Sequence, residues 1–415
     1  FGSMPALRSS QIRPARVLKG GDDPKARHRT MHLLVAGQVA FCFIVLQLAG
    51  LFVVTFQRLT NRPVGFSPER VLAMETIATQ PQLPAIWDQE LQHLRNVPGV
   101  ESAAIASDTL LSGWDTITPV SVNGATPSLV LTHELNISPG WLHVMRIPLL
   151  NGRDFRPEDV YPGAAIVNQA FARAYFNGQD PVGRRFEVMD QNRRVGFEVV
   201  GLCGDVPFHD IREPMPPQAY VPFREVNASG QPQAENDLEI MVRTSVSDPM
   251  SMAAVLRREV PAGRSEFHVA DLLTQVDINQ AQTVRERLLA MLSLFFAVVA
   301  LLLAGVGLYG VLNHSVVQRR REIGIRMAVG AQASNVVRIV TSRMVGAVLA
   351  GATMGLIFGL LCANRLHALL FQVRATDATM LMLPFAAIAA ASVLATIPAV
   401  LRAVRIDPLM MLRAE

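Results

Sequence analysis

Arg319-Arg320-Arg321-Glu322-Ile323-Gly324-Ile325-Arg326-Met327-Ala328-Val329-Gly330-Ala331 lies between two apolar runs, residues 288–312 and 339–363. Each run is long enough to cross a bilayer as a helix, which takes roughly 20 apolar residues. A basic triplet at the end of a span is held on the cytoplasmic side by the positive-inside bias. The stretch therefore reads as a cytoplasmic connection between two spans. After the arginines, Ile323, Ile325, Met327 and Val329 mix with Glu322 and Arg326. That pattern suits a short helix lying along the membrane surface, open to a soluble partner. Charge by itself fits equally well a plain anchor that only sets topology.

Outward from this stretch, residues 31–56 and 379–400 form two further apolar runs, making four expected spans. Only 17% of the 415 residues are charged and the mean hydropathy is +0.28. Soluble domains carry about 25% charged residues, so the shortage points to a membrane protein. The formal net charge of +4 is small. No aromatic-interleaved basic run accompanies it, which argues against nucleic acid as a partner. Arg27 and Arg29 precede the first span, and Arg402 and Arg405 follow the last, so both ends read as cytoplasmic.

The expected order is a cytoplasmic segment 1–30, span 31–56, outer domain with stalk 57–284 and span 285–312. A cytoplasmic connection 313–338, span 339–363, outer loop 364–378, span 379–400 and cytoplasmic tail 401–415 follow. Within the outer domain, helices are expected over 84–95, 138–145, 169–176 and 250–259, the last ending at Pro261. Strands are expected over 100–106, 120–122, 164–167, 197–203, 218–223 and 238–243. Helices and strands intermixed without a βαβ rhythm predict an α+β domain. Residues 275–287 carry Ile278, Ala281 and Val284 at helical spacing and predict a stalk running into the second span.

The third span carries Ala347, Gly351, Gly355 and Gly359 every four residues. Small residues at this spacing let another helix backbone approach, because lipid gives apolar side chains no reason to pair. The spacing does not name the partner. Gly305 to Gly310 matches G-x-G-x-x-G, but inside a continuous apolar helix with no preceding strand it is no dinucleotide site.

The string R-R-E-I-G-I-R-M-A-V-G-A resembles the signature after the second membrane helix of the MacB/FtsX-like ABC transporter permeases. Arg405-Ile406-Asp407-Pro408 and Leu412-Arg413 resemble that family's C-terminal ending. Asn151-Gly152-Arg153-Asp154-Phe155, Asn168-Gln169-Ala170-Phe171-Ala172 and Val199-Val200-Gly201-Leu202-Cys203-Gly204-Asp205 are similar to its extracytoplasmic domain, which is inserted between the first two helices. The resemblance covers nearly the whole chain and is strongest to the duplicated permeases first noted in acidobacteria, often encoded without an adjacent ATPase. It implies a multi-pass protein of the bacterial inner membrane with its large domain on the periplasmic side. It also implies a separate ABC ATPase dimer as partner, closing beneath Arg321, Glu322, Ile323, Gly324, Ile325 and Arg326. The permease would relay that motion outward and move a lipid, lipoprotein, peptide or drug-like substrate. The alternative is a regulatory or sensor subunit that activates an extracytoplasmic hydrolase or a signalling partner.

No G-x-x-x-x-G-K-[ST] loop occurs in the chain, so ATP hydrolysis is expected from the partner; neither an enzyme activity nor a cofactor is expected here. Asp205, His209 and Asp210 are the nearest approach to a metal set, but without spaced His or Cys companions they read as a surface turn. Cys203 is alone in the outer domain, which precludes an internal disulfide there. Phe1-Gly2-Ser3 precede Met4, and residues 5–19 echo residues 398–413. This leads to the expectation that the chain is the C-terminal half of a longer permease. Its partner would be a homologous first half, or else a second copy, meeting it through the glycine stripe or through Ala36, Ala40 and Gly50 of the first span.

Overall fold

The computed structural model describes residues 24–114, 116–190, 193–227, 229–318, 333–366 and 369–404. Among them are four helices long and apolar enough to cross a membrane. These are α1 (Pro24–Thr60), α7 (Val284–Gln318), α8 (Ala333–Arg365) and α9 (Ala378–Val404). The chain is a polytopic membrane protein with a large α+β domain between its first and second spans.

The membrane helices outrun their apolar cores. Residues 1–30 were expected as a cytoplasmic segment ahead of the first span, yet the helix already begins at Pro24. Proline is at home in the first turn, where its missing N–H would have had no helical partner. In α7, Ala297, Ala300, Ala304, Leu308 and Leu312 are buried at intervals of three or four residues. Phe295, Leu302 and Val306 on its other side are exposed. Exposed apolar side chains at this depth are what lipid solvates.

The outer domain, Leu59–Val284, holds one 11-stranded sheet. Its first lobe is the antiparallel run β11 (Phe267–Thr274), β1 (Val71–Gln82), β10 (Glu235–Thr244) and β2 (Val100–Ala106). Helices α2 (Pro84–Arg95) and α5 (Ala253–Gly263) cover one face of it. Trp87, Leu91, Leu256 and Val260 of these helices share a core with Leu72, Met74, Ile240 and Val242 of the strands. Trp87 and Phe267 bring their rings to 4.4 Å. Arg243 is buried and donates to three carbonyls, Val144 O at 2.6 Å, Ser67 O at 2.7 Å and Glu69 O at 2.9 Å, which ties β10 to the segment before β1 and to the helix that holds Val144.

The second lobe closes on itself. β4 (Leu131–Ile137), β3 (Ile117–Val122), β7 (Arg185–Asp190), β8 (Arg193–Cys203), β6 (Ala164–Asn168) and β9 (Gln218–Pro222) follow in order, and β9 pairs back onto β4 in parallel. β5 (Leu149–Gly152) hangs on β8. Phe171, Phe186, Phe197 and Val199 fill the lobe. Short α3 (Trp141–Met145) packs on β2, and α4 (Gln169–Phe176) follows β6. Asn168 caps α4 by accepting from Phe171 N at 2.9 Å.

Three local expectations are corrected. The stalk is not one helix: α6 (Gln275–Ala281) stops before α7 starts at Val284. Gln282 turns aside to donate to Leu111 O at 2.7 Å, and Thr283 Oγ1 donates back to Gln280 O at 3.0 Å. Pro261 does not end α5, which continues to Gly263. So near the C-terminus the ring removes one helical bond, and Arg264 N still closes the turn on Val260 O at 3.1 Å. Strands β1, β4, β7 and β11 were not expected at all, and β1 lies at the middle of the first lobe.

Candidate functional site

Two places bring together residues of functional interest, one in the membrane helices and one in the outer domain. In the membrane, α1 is the helix the others close upon. The glycine stripe of α8 lies on it. A Cβ at Gly351 would come within 2.5 Å of Ala36 O and 2.8 Å of Val39 Cβ, and one at Gly355 within 2.6 Å of Phe43 Cβ and 2.8 Å of Ala40 O. A Cβ at Gly359 would strike Gln47 Oε1. The two small-residue faces expected to serve a second permease half, the stripe and Ala36 with Ala40, therefore meet each other within this chain. The physical reason is complementarity: backbone-to-backbone approach needs small residues on both helices.

α1 touches the other spans as well. Gln38 Nε2 donates to Leu303 O of α7 at 2.6 Å, and Gln38 lies over Gly307. The glycines of the G-x-G-x-x-G string thus serve close helix approach at Gly307, while Gly305 and Gly310 have open space beside them. Phe43 meets Phe385 of α9 edge-on at 4.8 Å. Gln47 is 1% exposed, and neither amide atom finds a hydrogen-bond partner among the described residues. The expected ATPase contact, Arg321, Glu322, Ile323, Gly324, Ile325 and Arg326, lies outside the described residues.

The second place is a cleft of about 880 Å³ in the outer domain. It opens on the face of the first lobe that α2 and α5 leave bare. Alternation along the strands sends Leu72, Met74, Ile240 and Val242 to the helices and Glu75, Glu239 and Asp271 to the cleft. Glu75 stands directly opposite Glu239 on one side and Asp271 on the other. Asp237, Asp108, Glu134 and Asp277 add to the wall, giving seven carboxylates and no lysine or arginine among the lining residues. Burial, and then Asp108, Glu75, Asp271 and Asp237, push Glu239 up to about 7. Burial also raises Asp108, against hydrogen bonds from Ser112 and Thr109. Apolar lining comes from Leu110, Phe208, Leu273, Ile278 and Trp114. The sequence reading missed this site because β1 and β11 were not recognised, and the carboxylate row exists only once their register is known.

Asp205 does structural work. Its Oδ1 accepts from Ala170 N at 2.7 Å in the first turn of α4, and its Oδ2 pairs with Arg173. Asp210 accepts from Arg212 N at 2.7 Å. Among the described residues, no group of three His, Cys, Asp or Glu side chains is arranged to hold a metal ion.

A family model described as the MacB-like periplasmic core domain matches residues 35–258, and one described as the FtsX-like permease C-terminal region matches residues 294–408. The macrolide export ATP-binding/permease protein MacB of Azoarcus sp. is 28% identical over 225 residues, covering 51% of this chain and 32% of that protein. The corresponding protein of Marinobacter nauticus is 25% identical over 278 residues, covering 65% of this chain and 41% of that protein. The chain thus spans about a third to two-fifths of the length of these curated relatives. Among solved structures, the periplasmic region of MacB from Actinobacillus actinomycetemcomitans aligns with a TM-score of 0.35 and 14% identity over 54% of this chain and 97% of that one. With the core-domain model covering more than half the chain, the permease model covering its last three spans, and the outer domain inserted after the first, the chain belongs to the MacB/FtsX-like family of ABC transporter permeases.

Proposed function

We propose that the chain is the membrane subunit of an ABC-type export system in the bacterial inner membrane, transmitting the motion of a separate ATPase dimer to its outer domain. The observation that carries this reading is the pair of family matches flanking one plan: residues 35–258 as core domain and 294–408 as permease. The relatives' names join ATP-binding and permease functions, whereas this chain holds no phosphate-cradling loop in its 415 residues. The nucleotide chemistry then lies outside these 415 residues.

The mechanism follows from how the helices are joined. Motion imposed on residues 321–326 would displace α7 and α8, which flank them in the chain. α8 contacts α1 through backbone-close glycines with little side-chain slack, so a displacement of one displaces the other. α1 and α7 are the two helices that lead into and out of the outer domain. The domain would thereby be moved by both of its connections while substrate stays outside the membrane core. The transported class is lipid, lipoprotein, peptide or drug-like.

Glu322→Lys tests the coupling. Charge reversal at a contact with a soluble partner places like charges together and costs binding. In proteoliposomes holding the permease and its co-purified ATPase, the variant should lose permease-dependent ATPase stimulation while keeping its melting temperature. Full stimulation by the variant would remove Glu322 from the contact. Co-purification of a cell-wall hydrolase or a kinase in place of an ATPase would favour the regulatory reading.

A further inference from the structure

We propose that the end of α8 nearest the α8–α9 loop seats a phospholipid of net negative charge, its phosphate held by Arg365 and Arg374 and its acyl chains laid along the exposed apolar face of α8. The proposal rests on the membrane helices alone and does not depend on coupling to an ATPase.

The first argument is the face itself. Met354, Phe358 and Leu361 of α8 are exposed. With Arg365 they follow at spacings of four, three and four residues, which puts all of them on one side of the helix. Arg365 is exposed as well. A cation at the head of a bare apolar stripe matches a phospholipid end to end: the tails cover the stripe and the phosphate meets the guanidinium. The arrangement recurs at the start of α7, where exposed Arg287 heads the exposed Met291 and Leu294.

The second argument is that packing fixes the corner. Ala363 of α8, Val373 of the loop, Met380 of α9 and Leu51 of α1 share a small core. Arg365 and Arg374 follow Ala363 and Val373 closely in the chain, so that core holds both at one corner of the bundle. Arg58, at the end of α1, secures the loop by donating to Gln372 O and facing Asp377 at 3.9 Å.

The third argument is charge. The corner holds three arginines and one carboxylate, and Asp377 is already taken by Arg58. The side chains of Arg365 and Arg374 make no ion pair among the described residues. Topology does not ask for them, since the positive-inside bias draws arginine to the other end of a span. A zwitterionic lipid brings a further cation to this surplus, whereas a net anionic one offsets it. Free phosphate would answer the arginines and leave the apolar face uncovered.

The test is fluorescence quenching of the full chain in phosphatidylcholine nanodiscs. Cys362, one turn before Arg365, is the exposed cysteine and carries the fluorophore, while Cys42 and Cys203 are buried. Phosphatidylglycerol spin-labelled on an acyl chain near the headgroup is the quencher, and phosphatidylcholine labelled at the same carbon is the comparison. We expect phosphatidylglycerol to be concentrated beside Cys362 at least about fivefold over phosphatidylcholine, the preference that one arginine beside anionic lipid supplies. Arg365→Gln with Arg374→Gln should bring the ratio below about two, and Arg365→Lys with Arg374→Lys should keep most of it. Arg319→Gln with Arg320→Gln, beyond the other end of α7 in the chain, should leave it unchanged. Sodium chloride at about 500 mM should lower the ratio in the parent. Sodium phosphate at the same ionic strength should lower it no further; a larger drop would make free phosphate the ligand and overturn the lipid site. Should the double Gln variant fail to fold, Arg374→Gln alone, in the exposed loop, should still lower the ratio. Equal quenching by the two lipids in the parent, or a ratio that the Gln variants leave unmoved, overturns the proposal.

Discussion

Glu90 shows how much one side chain conceals from a sequence. The helix 84–95 is legible from Leu91 and Leu94, and Glu90 looks like one of its solvated residues. In the structure it is fully buried beside Leu91, and neither carboxylate oxygen has a hydrogen-bond partner among the described residues. Burial first, opposed by Arg264 and reinforced by Glu266, pushes its proton affinity up to about 7. The folded protein then keeps a proton that the unfolded chain releases near pH 4.3. The folded state binds more protons throughout that interval, so stability falls as pH rises from about 4.3 to about 7 and levels off above. The full penalty is at most about 4 kcal/mol. Glu90→Gln keeps the shape and abolishes the ionisation. It should raise the melting temperature of the outer domain at pH 8 and leave it nearly unchanged at pH 4. An equal gain at both pH values would mean that ionisation of Glu90 is not the cause.

At the scale of elements, the stripe Gly351, Gly355 and Gly359 was legible as a packing face, because a four-residue period marks one side of a helix. Its partner was not, since periodicity along one helix carries no information about which other helix answers it. Gly355 and Gly346 allow a direct comparison on the same helix. A methyl group at Gly355 meets Phe43 Cβ at 2.6 Å and the backbone of Ala40 at 2.8 Å, whereas nothing lies within 4 Å at Gly346. Backbone cannot yield as a side-chain tip can, so Gly355→Ala should cost about 1–3 kcal/mol. Gly346→Ala should be neutral or mildly stabilising through helix propensity, about 0.5–1 kcal/mol. Thermal unfolding in one detergent reads both, and equal melting temperatures would mean that α8 does not lean on α1 as described. The strands tell the opposite story. β1 ends in Thr79-Gln80-Pro81-Gln82 and turns Ala73 and Glu75 away from its core, so its apolar alternation is faint in one dimension. The row formed by Glu239, Glu75 and Asp271 comes from residues 196 apart in sequence at its extremes, Glu75 to Asp271, and such a neighbourhood appears only with the pairing.

For the whole molecule, the bilayer imposes a pattern that a sequence cannot hide. Every spanning helix must satisfy its own backbone and stay apolar for its full length. All four spans were therefore legible, and the domain between the first two followed from the gap. Closure of the second lobe was not, because it depends on the parallel pairing of β9 with β4, strands that turns alone do not join. Orientation rests on charge. Arg27 and Arg29 precede α1's apolar stretch, Arg319 to Arg321 follow α7, and Arg402 and Arg405 close α9. At the other end of α1, Arg58 faces Asp377 at 3.9 Å and donates to Gln372 O, so its charge is partly offset. The positive-inside bias then directs Thr126, in the connection between β3 and β4, to the outside and Gln318, at the end of α7, to the cytoplasm. Both residues are exposed. In a background with Cys42, Cys203 and Cys362 replaced by alanine, a membrane-impermeant maleimide added to spheroplasts should label Thr126→Cys at once. It should reach Gln318→Cys only after the membrane is opened. Labelling of Gln318→Cys in sealed spheroplasts would place residues 321–326, the proposed ATPase contact, on the side where no ATP is available, and the proposed transmission would fail with it.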